Sequence, residues 1–156
     1  MNSSKRESLR LAGASGLYTA LLSIGLLKPG LASAQAFNQA AFQAKSIADT
    51  LKALGISGAV DSKDVIITAA DIAENGAVVP VGIRSNLPKT EMLALLVEKN
   101  PSALAGAYEI LEGGEPDVSM RVKMGQSSDV LAVVKADGKY YTARKEIKVT
   151  LGGCGG

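Results

Sequence analysis

The sequence predicts a mainly all-β protein: an antiparallel β-sandwich preceded by one N-terminal helix and followed by a flexible Gly-Gly-Cys-Gly-Gly arm. Three observations carry this. Apolar residues recur at helical steps between residues 38 and 54. After Gly58 the pattern becomes short runs rich in β-branched residues, separated by Gly, Pro, Asn and Asp. Beyond Leu151 only four glycines and one cysteine remain.

In chain order, residues 1–36 read as an export signal. Ser4-Lys5-Arg6-Glu7-Ser8-Leu9-Arg10 is basic, and the stretch from Leu11 to Leu27 is uncharged. Lys28-Pro29-Gly30 leads to two small-residue cleavage patterns, Ala32-Ser33-Ala34 and Ala34-Gln35-Ala36. The middle is diluted by Gly13, Ser15, Gly16, Thr19, Ser23 and Gly25, which argues against a membrane span. The basic segment is twin-arginine-like, with Lys5 in place of the first Arg, and a general secretory signal is the plain alternative. The expectation is cleavage before Gln35 or Phe37 and a periplasmic mature chain.

Residues 38–54 follow as the helix. Phe37, Ala40, Ala41, Ala44, Ile47, Ala48, Leu51 and Leu54 fall on one stripe, and Gly55 stops the run. Strands are expected at 65–69, 78–84, 92–98, 104–111, 130–135 and 139–151. The strongest alternation sets Val118, Met120, Val122 and Met124 against Ser119, Arg121 and Lys123. Asp137-Gly138 is a hairpin signal. With two Phe, four Tyr and no Trp, the core must rest on Val, Ile, Leu, Ala and Met. The domains are therefore 1–36 (signal), 37–151 (sandwich with its helix) and 152–156 (arm).

Composition narrows the chemistry. The chain is 47% hydrophobic and 21% charged, as a globular protein should be. It has no His and one Cys. That excludes Ser-His-Asp and Cys-His catalysis, His-containing zinc sites and an intramolecular disulfide. The net charge of +2 comes from the signal: removing Lys5, Arg6, Arg10, Lys28 and Glu7 leaves 13 basic and 14 acidic residues, a net −1. No basic cluster points to nucleic acid.

Cys154 is the candidate site, with Gly152, Gly153, Gly155 and Gly156 as its flexible arm. Glycine leaves the backbone the most freedom, and small neighbours let a cysteine-bound cargo enter narrow sites. No His, adjacent cation or helix N-terminus activates the thiol, and Lys148 is the nearest basic residue in sequence. This is the profile of a carrier that partner enzymes load and unload, not of an enzyme.

Two segments resemble the SoxY family, the sulfur carriers of the thiosulfate-oxidising Sox system. One is Val149-Thr150-Leu151-Gly152-Gly153-Cys154-Gly155-Gly156; the other is Ile72-Ala73-Glu74-Asn75-Gly76-Ala77-Val78-Val79-Pro80-Val81. The resemblance implies an immunoglobulin-like sandwich, a heterodimer with SoxZ, and covalent attachment of sulfur intermediates to Cys154. It also implies transient docking to the SoxAX cytochrome, the SoxB hydrolase and, in some organisms, a sulfane dehydrogenase, with no cofactor of the chain's own. Within the second segment, Asn75-Gly76 is also an ordinary turn signal, so a structural role is expected there.

Two other readings compete with the carrier. Ubiquitin-like sulfur carriers end in Gly-Gly and hold sulfur as a thiocarboxylate, here on Gly156. The export signal and the otherwise unexplained cysteine oppose this. The other reading is an exported β-sandwich binding module whose cysteine forms an intermolecular disulfide.

Overall fold

The computed structural model describes residues 38–150. The export signal expected at 1–36 and the arm expected at 152–156 lie outside the described residues. Two short helices, α1 (Gln39–Gln43) and α2 (Ile47–Ala53), precede nine strands. The strands are β1 (Val60–Asp61), β2 (Val65–Thr68), β3 (Ile72–Ala73), β4 (Val79–Ser85), β5 (Thr90–Val97), β6 (Leu104–Glu109), β7 (Asp117–Val122), β8 (Ser128–Ala136) and β9 (Lys139–Val149).

They form two facing sheets, the expected sandwich. The larger runs β1-β9-β8-β5-β6, with β3 also paired to β9; the smaller runs β2-β4-β7. The alternation read at 118–124 is what the small sheet uses. Val118, Met120 and Val122 on β7 and Val79, Val81 and Ile83 on β4 face the core, while Asp117, Ser119, Arg121, Pro80 and Arg84 face outward. The large sheet is buried on both faces. Leu93, Leu95 and Val97 of β5 and Val130, Ala132 and Val134 of β8 meet the small sheet. Their neighbours Ala94, Leu96, Leu131 and Val133 meet the helices, through Ala41, Phe42, Ile47, Leu51 and Leu54. The largest fully buried side chains are all aliphatic or Met, as the shortage of aromatics required.

The single helix expected over 38–54 is two helices, and the reason is local capping plus one tertiary bond. Ser46 has extended backbone, and its hydroxyl accepts from the Asp49 amide at 3.0 Å, capping α2. The Ala44 carbonyl, which a continuous helix would turn inward, accepts instead from the Ala103 amide at 3.1 Å. Ser102 likewise donates its hydroxyl to the Phe42 carbonyl. The break rephases the apolar stripe, leaving Ala40 and Ala48 exposed. Gly55 stops α2 as expected, with φ +70°. Its amide bonds Lys52 O and that of Ile56 bonds Leu51 O, the paired closure of a glycine-ended helix.

Antiparallel pairing was expected throughout, and two pairs depart from it. β1 and β3 each add two residues parallel to β9, at its two ends: Val60↔Tyr141 and Asp61↔Thr142, then Ile72↔Lys148 and Ala73↔Val149. A two-residue strand is too short to display a period of two. The β8–β9 hairpin turns at Asp137-Gly138, both at positive φ, with Ala136 opposite Lys139.

Charges close this end of the sheet. Lys135 pairs with Glu91 at 2.6 Å and Lys89 with Asp137 at 2.9 Å. The hydrogen bond from Lys135, helped by the Gly138 amide, holds the Glu91 carboxyl below its ordinary pKa; Asp137 is lowered by its bond from Lys89. Both lysines are raised by the same bonds.

Leu95→Ala, which empties a fully buried site in the middle of β5, should cost about 2–5 kcal/mol of stability in urea unfolding. Glu91→Gln should lower stability at neutral pH. The lowered carboxylate contributes only above its unfolded pKa of about 4, and that contribution is lost as pH falls through its folded value. Melting curves of the wild type and Glu91→Gln should therefore converge as pH falls through that folded value. The raised Lys135 contributes below about pH 10, so the gap should also close as pH rises through its folded value.

Candidate functional site

The predicted site residue Cys154 and its glycines Gly152, Gly153, Gly155 and Gly156 lie outside the described residues, whose last member is Thr150. The structure does show how the chain is held where it leads into that segment. β9 is paired with β8 from Lys139 to Ile147, and Ile147 is fully buried in the sandwich core. β8 starts at Ser128, opposite Ile147, so the last residues of β9 run past the end of their main partner.

On the opposite flank, β3 takes over. The Lys148 amide donates to Asp71 O at 2.9 Å and the Thr150 amide to Ala73 O at 3.1 Å. The Thr150 hydroxyl donates to Glu74 O at 3.1 Å. On the β8 flank the Ser127 hydroxyl accepts from the Val149 amide at 2.9 Å and lies 3.5 Å from the Val149 carbonyl. Lys145 ties the same region down, with its ammonium 3.0 Å from Asp71 and 2.6 Å from Ala69 O.

The segment from Ile72 to Val81 has the structural role expected of it. Ile72 and Ala73 form the strand that grips β9. Asn75 builds a turn through its side chain, which accepts from the Ala77 amide at 2.8 Å. Gly76 is buried, and its carbonyl accepts from the amide of Met124, a fully buried core residue, at 2.7 Å. Val79 and Val81 then enter the core. One segment thus joins the small sheet to the end of β9. Sequence reasoning named this segment and Thr150 but missed Asp71 and Ser127. Nothing in the local pattern Gly125-Gln126-Ser127-Ser128 marks a side chain that completes a strand 22 residues away.

Lys148, the nearest cation to Cys154 in sequence, is exposed and makes no ion pair among the described residues. Arg144 is occupied by Asp129 at 3.1 Å and Glu98 at 3.4 Å. Among the described residues no three His, Cys, Asp or Glu side chains are grouped to hold a metal ion. A shallow groove of about 530 Å³ on the outer face of the small sheet is lined by Pro80, Ser119, Met120 and Arg121, with no carboxylate to act as a base. Among the described residues no helix is long and apolar enough to cross a membrane.

Comparison with known proteins adds a family. The model of sulfur oxidation protein SoxY matches residues 51–154. The solved structure of the sulfur carrier protein SoxY from Chlorobium limicola f thiosulfatophilum superposes with a TM-score of 0.63 at 34% identity, covering 70% of this chain and 96% of that one. A superoxide reductase (neelaredoxin) from Ignicoccus hospitalis matches with a TM-score of 0.50 at 21% identity, over 55% of this chain and 79% of that one, a likeness of fold alone. No match was found among curated proteins.

Asn75→Ala removes the side-chain acceptor of the turn that carries the β9 grip. It should lower unfolding stability by about 1 kcal/mol, read from the urea midpoint.

Proposed function

Since the chain belongs to the SoxY family and so has a role in sulfur oxidation, we propose that it is a periplasmic carrier of thiosulfate-derived sulfur, held covalently on Cys154. The observation that carries this is the span of the family match, which runs through Cys154, the single thiol of the sequence. The absence of His from the sequence agrees with a protein whose chemistry is done by others.

Loading joins the outer sulfur of thiosulfate to the Cys154 sulfur. An S–H bond breaks, an S–S bond forms, and one proton and two electrons leave, the electrons passing to a c-type cytochrome partner of the SoxAX kind. Water then attacks the terminal sulfone under a SoxB-type hydrolase. Sulfate and a proton depart, and a persulfide stays on Cys154. Where a sulfane dehydrogenase exists it oxidises that remaining sulfur. The chain contributes the thiol and its presentation, not the catalysis, and it needs no cofactor for this. Its standing partner is the small β-sandwich protein SoxZ, and residues 1–36 direct export before being removed.

Cys154→Ser should abolish thiosulfate oxidation while leaving the melting temperature and partner binding unchanged. Intact-mass spectrometry of wild-type protein, alkylated at lysis, should show thiosulfonate or persulfide mass on the peptide containing Cys154. Undiminished oxidation by Cys154→Ser would end the proposal. Added mass on Gly156 would point to a thiocarboxylate. A constant cross-linked dimer on non-reducing gels of alkylated samples would point to a disulfide-linked binding module.

A further inference from the structure

The small sheet ends in an open strand. β7 pairs with β4 on one side, and among the described residues no strand pairs with its other side. The edges of the large sheet are less regular. β9 is flanked there by β1 and β3, and β6 meets β5 with a register shift between Leu95 and Leu96. β7 keeps an unbroken register with β4 from Asp117 to Val122.

The pairing with β4 dictates which backbone groups face the open side. The Ser85 amide donates to the Pro116 carbonyl at 2.9 Å. That bond brackets the Arg84–Asp117 pair, so these two residues exchange no backbone bonds with each other. Alternation along the ladder then turns the amides and carbonyls of Val118, Met120 and Val122 toward β4. Those of Ser119 and Arg121 point to the open edge. Pro80, opposite Arg121, fits this pattern, because the pairing asks no amide of it there.

This edge is complementary to itself. Counting outward from Ser119 in both directions, Val118 matches Met120 and Asp117 matches Arg121; just beyond the strand, Glu115 matches Lys123. Antiparallel pairing of two β7 strands about a two-fold axis at Ser119 sets each residue directly across from its match. Opposed residues share a sheet face, so no side chain is turned to the wrong side. Val118 and Met120, packed on the core but still partly exposed, cover their counterparts. On the outer face Asp117 meets Arg121 twice. Arg121 is exposed and makes no ion pair among the described residues. Arg84 bonds one oxygen of Asp117, which leaves the other oxygen for a second donor. Moving the axis by one residue breaks both Asp117–Arg121 pairs.

We propose that β7 is a self-association edge that takes the β7 strand of a second copy of this chain. Two three-stranded sheets then become one of six strands, in the order β2-β4-β7-β7-β4-β2. The Asp117 carboxylate lies between Arg84 of its own chain and Arg121 of the other. The same patch serves both copies, so the contact closes as a dimer and does not propagate into a filament. The dimer is independent of the carrier role of Cys154.

The test uses the mature chain, with Cys154→Ser so that no disulfide contributes, purified with any partner that accompanies it from cells. Sedimentation should show a species holding two copies of this chain that dissociates on dilution. Arg121→Asp sets carboxylates against each other on both sides of the axis and should weaken the association about tenfold. Its melting temperature, read where both proteins are monomeric, should be unchanged. Asp117→Arg should weaken association as well, and an equimolar mixture of the two variants should associate again, since each supplies the charge the other lacks. If Asp117→Arg fails to fold for want of its bond from Arg84, the Arg121→Asp result decides alone. The amides of Ser119 and Arg121 should exchange about tenfold more slowly in concentrated wild-type protein than in the dilute monomer. A single copy at every concentration would overturn the proposal, and so would association that Arg121→Asp leaves unchanged. Protection of the same amides by a different protein, in a complex holding one copy of this chain, would also overturn it.

Discussion

Strands β5 and β8 carry apolar side chains on both faces, and this double burial dictates what has to surround them. Leu93, Leu95, Val130, Ala132 and Val134 on one face and Ala94, Leu96, Leu131 and Val133 on the other have almost no contact with water. Burying each Val or Leu contributes about 1.5–3 kcal/mol, so neither face can stay uncovered. The small sheet β2-β4-β7 covers one face and the two helices the other. Strand β9 is freer to be mixed, and its exposed positions are Lys139, Arg144, Glu146 and Lys148.

The helical layer shows how tertiary contact overrides local pattern. A continuous helix over 38–54 would keep its own hydrogen bonds but would not seat on the sheet. The loop entering β6 takes the carbonyls of Phe42 and Ala44, and Ser46 caps a second helix. The result presents Ala41 and Phe42, then Ile47, Leu51 and Leu54, to the same face of the large sheet. Asn38 fastens the two pieces by donating its side chain to the Ala53 carbonyl at 2.9 Å.

β9 connects this scaffold to function. It is the longest strand, it lies beside β8, and its two ends are each gripped by a two-residue parallel strand. The grip at the Val149 end comes from the same segment that feeds β4 into the core. The end of β9 is therefore tied to both sheets.

Periods of two and a hairpin turn are local properties, so the sandwich, the alternation of β7 and the Asp137-Gly138 turn were legible in the sequence. The residue proposed to carry sulfur was picked out in the same way: one thiol among four glycines needs no third dimension to be noticed. What surrounds it was not. β1 and β3 are too short to show a period and exist only because β9 offers them an edge. The helix break depends on Ser102 and Ala103, about 60 residues away in sequence. The roles of Ser127 and Asp71 at the end of β9 depend on loops meeting from three parts of the chain. Sequence alone determined which residues seek burial and that one thiol, Cys154, stands among four glycines. Tertiary structure decided where the strand leading toward that thiol is pinned, because a hydrogen bond depends on distance in space and not on separation along the chain.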